Sequence, residues 1–322
     1  MQPFVLTRDT VLPLSRQHRT DRRQPITQYM SEAAGLSSGK GHRDENFPVA
    51  SFLIAPRHRG IILAFYRFAR TADDVADHAD ASPDEKLALL DLMRRTLLGE
   101  TDASVEARAL RTMLAESDLS AEHALDLLEA FSRDVTKLRY LDWDDLMDYC
   151  RVSAMPVGRF VLDVHGEARA LWPMCDALCS ALQIVNHLQD CAKDYRLLNR
   201  VYIPMDSFAA VGIGPEELGQ QRASPALRSL ISGLARQTFD LLVKSKGFAA
   251  GVRDARLASE ISVIQVLAES LCRRLMNRDP LSERVHHRKS EVLLLAIPAL
   301  LSCATGRLRH RNNGIVVADE SH

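Results

Sequence analysis

Apolar side chains recur every three or four positions through most of this chain, the period of helices that bury one face. After Pro56, the residues Ile61, Ile62, Phe65, Phe68 and Ala69 fall on one stripe and predict a helix that runs into Asp73. Order is expected to begin at Asn46-Phe47-Pro48, with Asn46 leading into a short first helix. Ser82-Pro83-Asp84-Glu85 is a helix start, with Ser82 as the cap and Pro83 at the first helical position. Helical spacing follows from Leu87 to Leu98, and further helices are expected over 105–116, 120–139, 143–150, 153–165, 169–194, 225–246, 253–276 and 282–302. The stretch from Arg200 to Gly219 holds Gly and Pro without a period and reads as a long ordered loop. No strand alternation persists and no repeat of fixed period occurs. The pattern predicts an all-α chain with one domain over 46–305, a polar, poorly ordered extension over 1–45 and a basic tail over 306–322.

Composition sharpens this picture only in places. With 46% hydrophobic and 26% charged residues in 322, the chain can bury a sizeable core and cover it. A formal charge of −1, with no basic stripe interleaved with aromatics, argues against a nucleic-acid partner. Six cysteines form no CxxC pair and read as reduced core residues of a cytoplasmic protein. No apolar core follows Met1, and Arg16 to Arg23 is strongly basic, so no secretory signal is legible. The longest apolar run, Val292 to Ala304, is broken by Pro298 and too short to span a bilayer. It reads as a closing helix packed on the core, or as a peripheral contact with the inner membrane face aided by Arg307, Arg309, His310 and Arg311.

Two acidic boxes carry the chemistry. Asp73 and Asp77 are four apart, and so are Asp190 and Asp194. On a helix this spacing stacks both carboxylates on one face, where they repel each other and gain nothing locally. A divalent cation between them gives the spacing a purpose, and carboxylate oxygens suit Mg²⁺. In the first box Tyr66, Arg70, Asp73 and Asp77 share a face, so Arg70 could offer its fork to phosphate oxygens. The alternative is a surface Arg–Asp pair of little energetic weight. In the second, Gln183, Asn186, Asp190 and Asp194 form a polar stripe among Ile184, Val185 and Leu188, facing either a polar cavity or solvent. A third segment, Tyr149 to Phe160, contains Pro156, which predicts a kink, and Gly158 beside it. Its small residues could admit a long apolar ligand or serve close helix packing. His286 and His287 are adjacent rather than one turn apart, and so fit a solvated helix end better than a zinc site.

These segments together resemble the squalene/phytoene synthase family, the head-to-head isoprenoid synthases, over about Asn46 to Leu281. The resemblance implies an isoprenoid synthase fold, a single helical domain around a central cavity. It implies that Asp73, Asp77, Asp190 and Asp194 bind Mg²⁺ and the substrate diphosphate, with Asn186 and Gln183 supporting the second metal site. By the same likeness Arg70 contacts the diphosphate, Tyr66 and Phe65 line the pocket, and Val157 and Gly158 flank the prenyl channel. Asn46-Phe47-Pro48-Val49-Ala50-Ser51, Phe68-Ala69-Arg70-Thr71-Ala72-Asp73-Asp74, Asn186-His187-Leu188-Gln189-Asp190 and Arg278-Asp279-Pro280-Leu281 are similar to the bacterial hopanoid-pathway branch. Members of that branch take presqualene diphosphate, release diphosphate and add water to give hydroxysqualene. The catalytic set would then be Asp73, Asp77, Asp190, Asp194, Tyr66 and Arg70, with the product handed to other enzymes of the squalene pathway. The competing expectations are a condensing synthase that joins two prenyl diphosphates and a non-catalytic relative. The long N-terminal extension departs from the family core, and no nicotinamide-binding signal is present.

Overall fold

Helices begin where a side chain or a proline can serve the unpaired N–H groups of a first turn. The structure, a computed structural model, describes residues 55–318, with side chains to residue 305. The expected N-terminal extension and the helix after Asn46 lie outside the described residues. Helix α1 (Pro56–Asp77) opens on proline and buries Ile61, Ile62, Phe65, Phe68, Ala72 and Val75. Helix α2 (Pro83–Leu97) opens on a reciprocal cap: Ser82 Oγ accepts from the Glu85 N–H at 3.3 Å, and the Ser82 N–H donates to Glu85 Oε2 at 2.9 Å. Helix α3 (Val105–Glu116) is capped by Ser104, α4 spans Glu122–Thr136, and α5 (Trp143–Ser153) is capped by Asp142.

Pro156 acts as a helix start and not merely as a bend. Helix α5 stops at Ser153, and α6 (Met155–Val164) begins afresh with Pro156 in its first turn, where a missing N–H costs nothing. Helix α7 (Trp172–Leu198) is the long buried element, and α8 (Met205–Ala210) is a short helix within the stretch expected to be loop. Helices α9 (Pro225–Lys244), α10 (Phe248–Gly251), α11 (Ala255–Asn277) and α12 (Lys289–Ala318) follow. Among the described residues there is no strand, only an isolated parallel bridge between Arg139 and Val201. The described part of the chain is all-α.

The C-terminal helix starts seven residues later than expected, at Lys289 rather than 282. The buried Asp279 takes up the intervening chain as a turn. Its carboxylate accepts from the Leu281 N–H at 2.9 Å, the Ser282 hydroxyl at 2.6 Å and the Ala223 N–H at 3.0 Å. Helix α12 then continues to Ala318, across the expected boundary at 305.

Two apolar clusters form the interior. One gathers α1 to α4, with Phe160 of α6 inserted among them, and the larger gathers α5 to α9 and α11 around α7. All six cysteines are free thiols, and Cys150, Cys175, Cys191 and Cys272 are buried. All described residues fall within one compact unit, 37–322.

Gly158 lies where α6 packs directly on α7. A Cβ on Gly158 would lie 2.5 Å from the sulfurs of both Cys175 and Cys179, so α6 and α7 meet there with sulfur filling the space. The missing Cβ of this glycine lets α6 and α7 pack closely at that point. Its neighbour Val157 is 42% exposed. A Gly158→Ala variant is expected to lose about 1–3 kcal/mol by overpacking. Adding Cys179→Ala should restore part of the loss. Equal urea midpoints for wild type and Gly158→Ala would remove this account.

Candidate functional site

The two acidic boxes sit near the C-terminal ends of α1 and α7, and a buried arginine absent from the sequence-based site meets the first of them. Helix α7 ends when Asn199 adopts left-handed backbone (φ 52°), which Asn tolerates better than most residues. Arg139 fixes that turn by donating to the Asn199 side-chain oxygen at 2.7 Å. The following residues then run beside 138–141, with the Val201 N–H on the Leu138 carbonyl at 3.0 Å and the Met205 N–H on the Tyr140 carbonyl at 2.9 Å.

This turn sends Arg200, 7% exposed, between α1 and α4. Its guanidinium donates to Asp77 Oδ1 at 2.6 Å, to the Ala76 carbonyl at 3.2 Å and to the Asp134 carbonyl at 3.0 Å. It thus satisfies carbonyls at the C-terminal ends of two helices, where a cation also complements the helix dipoles. The buried Asp134 carboxylate accepts from Tyr149 Oη at 2.8 Å and Tyr202 Oη at 2.9 Å. Burial first, and the Asp134 charge second, push both phenols up, so they remain donors. Burial pushes Asp134 up to about 6, opposed by Arg200 and the two phenols. His187 stacks on Tyr202 with 3.5 Å between ring centroids. Enclosure first and the Arg200 charge second push this histidine down to about 3, although the residue is not fully buried.

Arg70 donates to Asp73 Oδ2 at 3.0 Å and to Asp74 Oδ1 at 2.6 Å, while Asp77 takes Arg200. Burial works against the Arg70 charge, but Asp73 and Asp74, with a smaller contribution from Tyr66, raise its pKa. In α7, Gln183 donates to Ser153 Oγ at 2.8 Å and lies 3.2 Å from His187 Nε2, tying the polar stripe to the end of α5. Asn186, Asp190 and Asp194 occupy the same helix, each partly buried. Phe65 packs face to face on Phe160 with centroids 3.9 Å apart, and Phe68 is fully buried, which places both rings in the core of the first cluster.

The two boxes lie within electrostatic range of each other. Burial first, then Asp77, push Asp73 up to about 7, although 38% of its side chain meets solvent, which moderates the rise. Burial first, then Asp190, push Asp194 up to about 7, with Asp77 adding to the rise. Asp77 therefore acts on carboxylates of both boxes, which crowd negative charge into one region. A carboxyl raised from 3.8 when unfolded to about 7 when folded contributes stability fully below about pH 4 and loses it as pH rises through about 7. Asp73→Asn should then be more stable than wild type at about pH 8, by on the order of 1 kcal/mol after discounting for solvent, and equal to it near pH 4. Urea unfolding at the two pH values checks this; an Asp73→Asn variant less stable at the higher pH would count against the crowding.

Elsewhere, a cavity of about 800 Å³ opens between α10, α11 and α12, lined by residues such as Phe248, Val252, Gln265 and Ala299 and by no residue of either box. Glu122, His123 and Asp163 form a separate group in which His123 Nε2 lies 2.9 Å from Asp163 Oδ2 and ties α4 to α6. His287 precedes α12 and sits 2.9 Å from the Ser270 hydroxyl.

An all-α chain whose helix ends bring two carboxylate pairs into mutual reach beside a buried arginine has the layout of an isoprenoid synthase. The family model for squalene/phytoene synthase matches residues 41–291, and the chain belongs to that family of enzymes. It is 58% identical to a hydroxysqualene synthase of Zymomonas mobilis over 278 residues, covering 86% of this chain and 92% of the relative. It is 56% identical to a hydroxysqualene synthase of Rhodopseudomonas palustris over 273 residues, covering 85% and 94%. Among solved structures, a squalene synthase from Alicyclobacillus acidocaldarius superposes with a TM-score of 0.64 at 28% identity, covering 78% of this chain and 92% of that one. A dehydrosqualene synthase shares the fold with a TM-score of 0.66 at 21% identity, covering 87% and 97%.

Proposed function

We propose that this chain converts presqualene diphosphate to hydroxysqualene, releasing diphosphate and adding water. The observation that carries the substrate assignment is the likeness, over most of both chains, to relatives named hydroxysqualene synthase. The site chemistry supports it. Asp73, Asp77, Asp190 and Asp194, with Asn186, are the hard oxygen donors that would hold Mg²⁺, and their crowded negative charge is what a divalent cation relieves. A Mg²⁺ held there would supply positive charge to offset that developing on the diphosphate as its carbon–oxygen bond breaks.

The chain's own residues do the rest. Arg70 reaches a phosphate oxygen by exchanging Asp73 or Asp74 for it, and these bonds lie between partly exposed side chains, so the exchange costs little. Arg200 holds Asp77 in place from behind. Gln183 fixes α7 against Ser153, and the role of orienting the water is assigned to Tyr66 or Asn186. The bond to diphosphate breaks with its electron pair leaving on oxygen. The rearranged carbocation gains the water oxygen, and a proton is lost.

Among the described residues no helix is long and apolar enough to cross a membrane. A cytoplasmic enzyme with peripheral contact at the inner membrane face, handing its product to other squalene-pathway enzymes, completes the proposal. Purified protein with Mg²⁺ and presqualene diphosphate, without a nicotinamide, is expected to yield hydroxysqualene by mass, and farnesyl diphosphate alone is expected to remain. Consumption of farnesyl diphosphate would make the chain a condensing synthase instead.

A further inference from the structure

Helix α12 is apolar on both of its sides. Its inner side packs on α11, with Ala299 only 8% exposed. Its outer side presents Leu293 (63% exposed), Leu294 (72%), Ile297 (56%) and Leu301 (63%). At 3.6 residues per turn these four fall within roughly 100° of arc, so they form one stripe. An outer helix face is ordinarily polar, and one that is apolar all round belongs against hydrocarbon or another protein. Other exposed large apolar residues, such as Leu98, Leu141 and Val243, sit singly on different elements.

The charge around the stripe selects its partner. Arg284, Arg288 and Lys289 precede it in sequence, and Arg307, Arg309 and Arg311 follow, in a chain of formal charge −1. The one acid in between, Glu291, is paired with Arg274 at 3.0 Å. A second copy docked through the same face would bring like charges together. The N-terminal stretch Arg16 to Arg23 of this chain is also basic and would be repelled in the same way. An anionic lipid surface satisfies both the stripe and its basic flanks.

We propose that the outward face of α12 docks on an anionic lipid bilayer, lying along the interface with Leu293, Leu294, Ile297 and Leu301 in the acyl boundary. This deepens the functional reading and rests on it, because a long prenyl substrate and its product partition into bilayers. It also supplies the surface that a peripheral contact requires.

Sedimentation of the full chain with vesicles tests it, using phosphatidylcholine alone and phosphatidylcholine mixed with phosphatidylglycerol. Binding is expected to the mixed vesicles, several-fold weaker to neutral ones, and weakened by salt. Leu294→Asp/Ile297→Asp should cut binding by about tenfold or more while melting and turning over detergent-dispersed substrate as wild type does. Arg288→Glu/Lys289→Glu, outside the stripe, should lose the preference for anionic vesicles and keeps the test open if the first variant melts early. Absence of wild-type binding, or equal binding by both variants, overturns the proposal. So does a wild-type dimer, seen by light scattering, that the aspartate variant dissociates, since the stripe would then be a self-interface. Vesicle binding without turnover of presqualene diphosphate would leave the surface standing and remove the functional reading; turnover without vesicle binding would do the reverse.

Discussion

Replacing Arg200 with leucine is expected to cost about 3 kcal/mol of stability, near the lower end for breaking a buried ion pair. The lower end applies because Asp77, though bonded to Arg200 at 2.6 Å, keeps 37% of its side chain in solvent. The loss has three parts: an unpaired Asp77, two orphaned helix-end carbonyls, and an Asp134 that no longer has a cation beside it. Turnover should fall by about a hundredfold or more, since Asp77 would no longer be fixed in position. Arg200→Lys keeps the charge but loses the fork that reaches three acceptors, and should recover less than half of the stability. Urea unfolding and steady-state turnover of the two variants check this, and an Arg200→Leu protein with the wild-type urea midpoint would contradict it.

The second large effect concerns the carboxylate itself. Asp77→Ala is expected to abolish turnover, but it also strips Arg200 of its ion-pair partner, so the fold suffers along with the chemistry. Asp77→Asn separates the two. Its amide oxygen can still accept from Arg200, so melting should stay near that of wild type, while the loss of charge should lower turnover by about a thousandfold. Near-wild-type turnover by Asp77→Asn would remove Asp77 from the proposed metal-holding set.

The fold was legible largely because its signals are local. Spacing placed α3 at 105–116, and the Ser82–Glu85 cap and the prolines at 56 and 83 marked helix starts. The late start of α12 was hidden because Asp279 reaches across to Ala223, a contact that no window of sequence contains. The acidic boxes were visible because stacked like charges on a helix have no local benefit. Their convergence was expected from the chemistry and the family resemblance and not from spacing, because it depends on how α1 and α7 lie in space.

Arg200 was missed for a similar reason. It sits in a stretch without helical period, and only the left-handed turn at Asn199 and the run beside 138–141 aim it at α1. Asp134 carries no signal in the sequence, because Tyr149 and Tyr202, which close over it, come from other parts of the chain. The sequence does hold one usable signal, an arginine six residues after Asp194 and immediately after a helix-ending asparagine. At Gly158 the close helix contact could not be read in advance, because the sulfurs beside it come from 17 and 21 residues further along the chain (Cys175 and Cys179).

Ionisation at the paired boxes is expected to end in capture of water rather than in condensation or reduction. A single turnover of presqualene diphosphate by the wild-type chain, with Mg²⁺ and in water labelled with heavy oxygen, tests it most directly. The expected product is hydroxysqualene whose new hydroxyl carries the heavy isotope from solvent. Hydroxysqualene without the label, or a hydrocarbon with no hydroxyl at all, would contradict it.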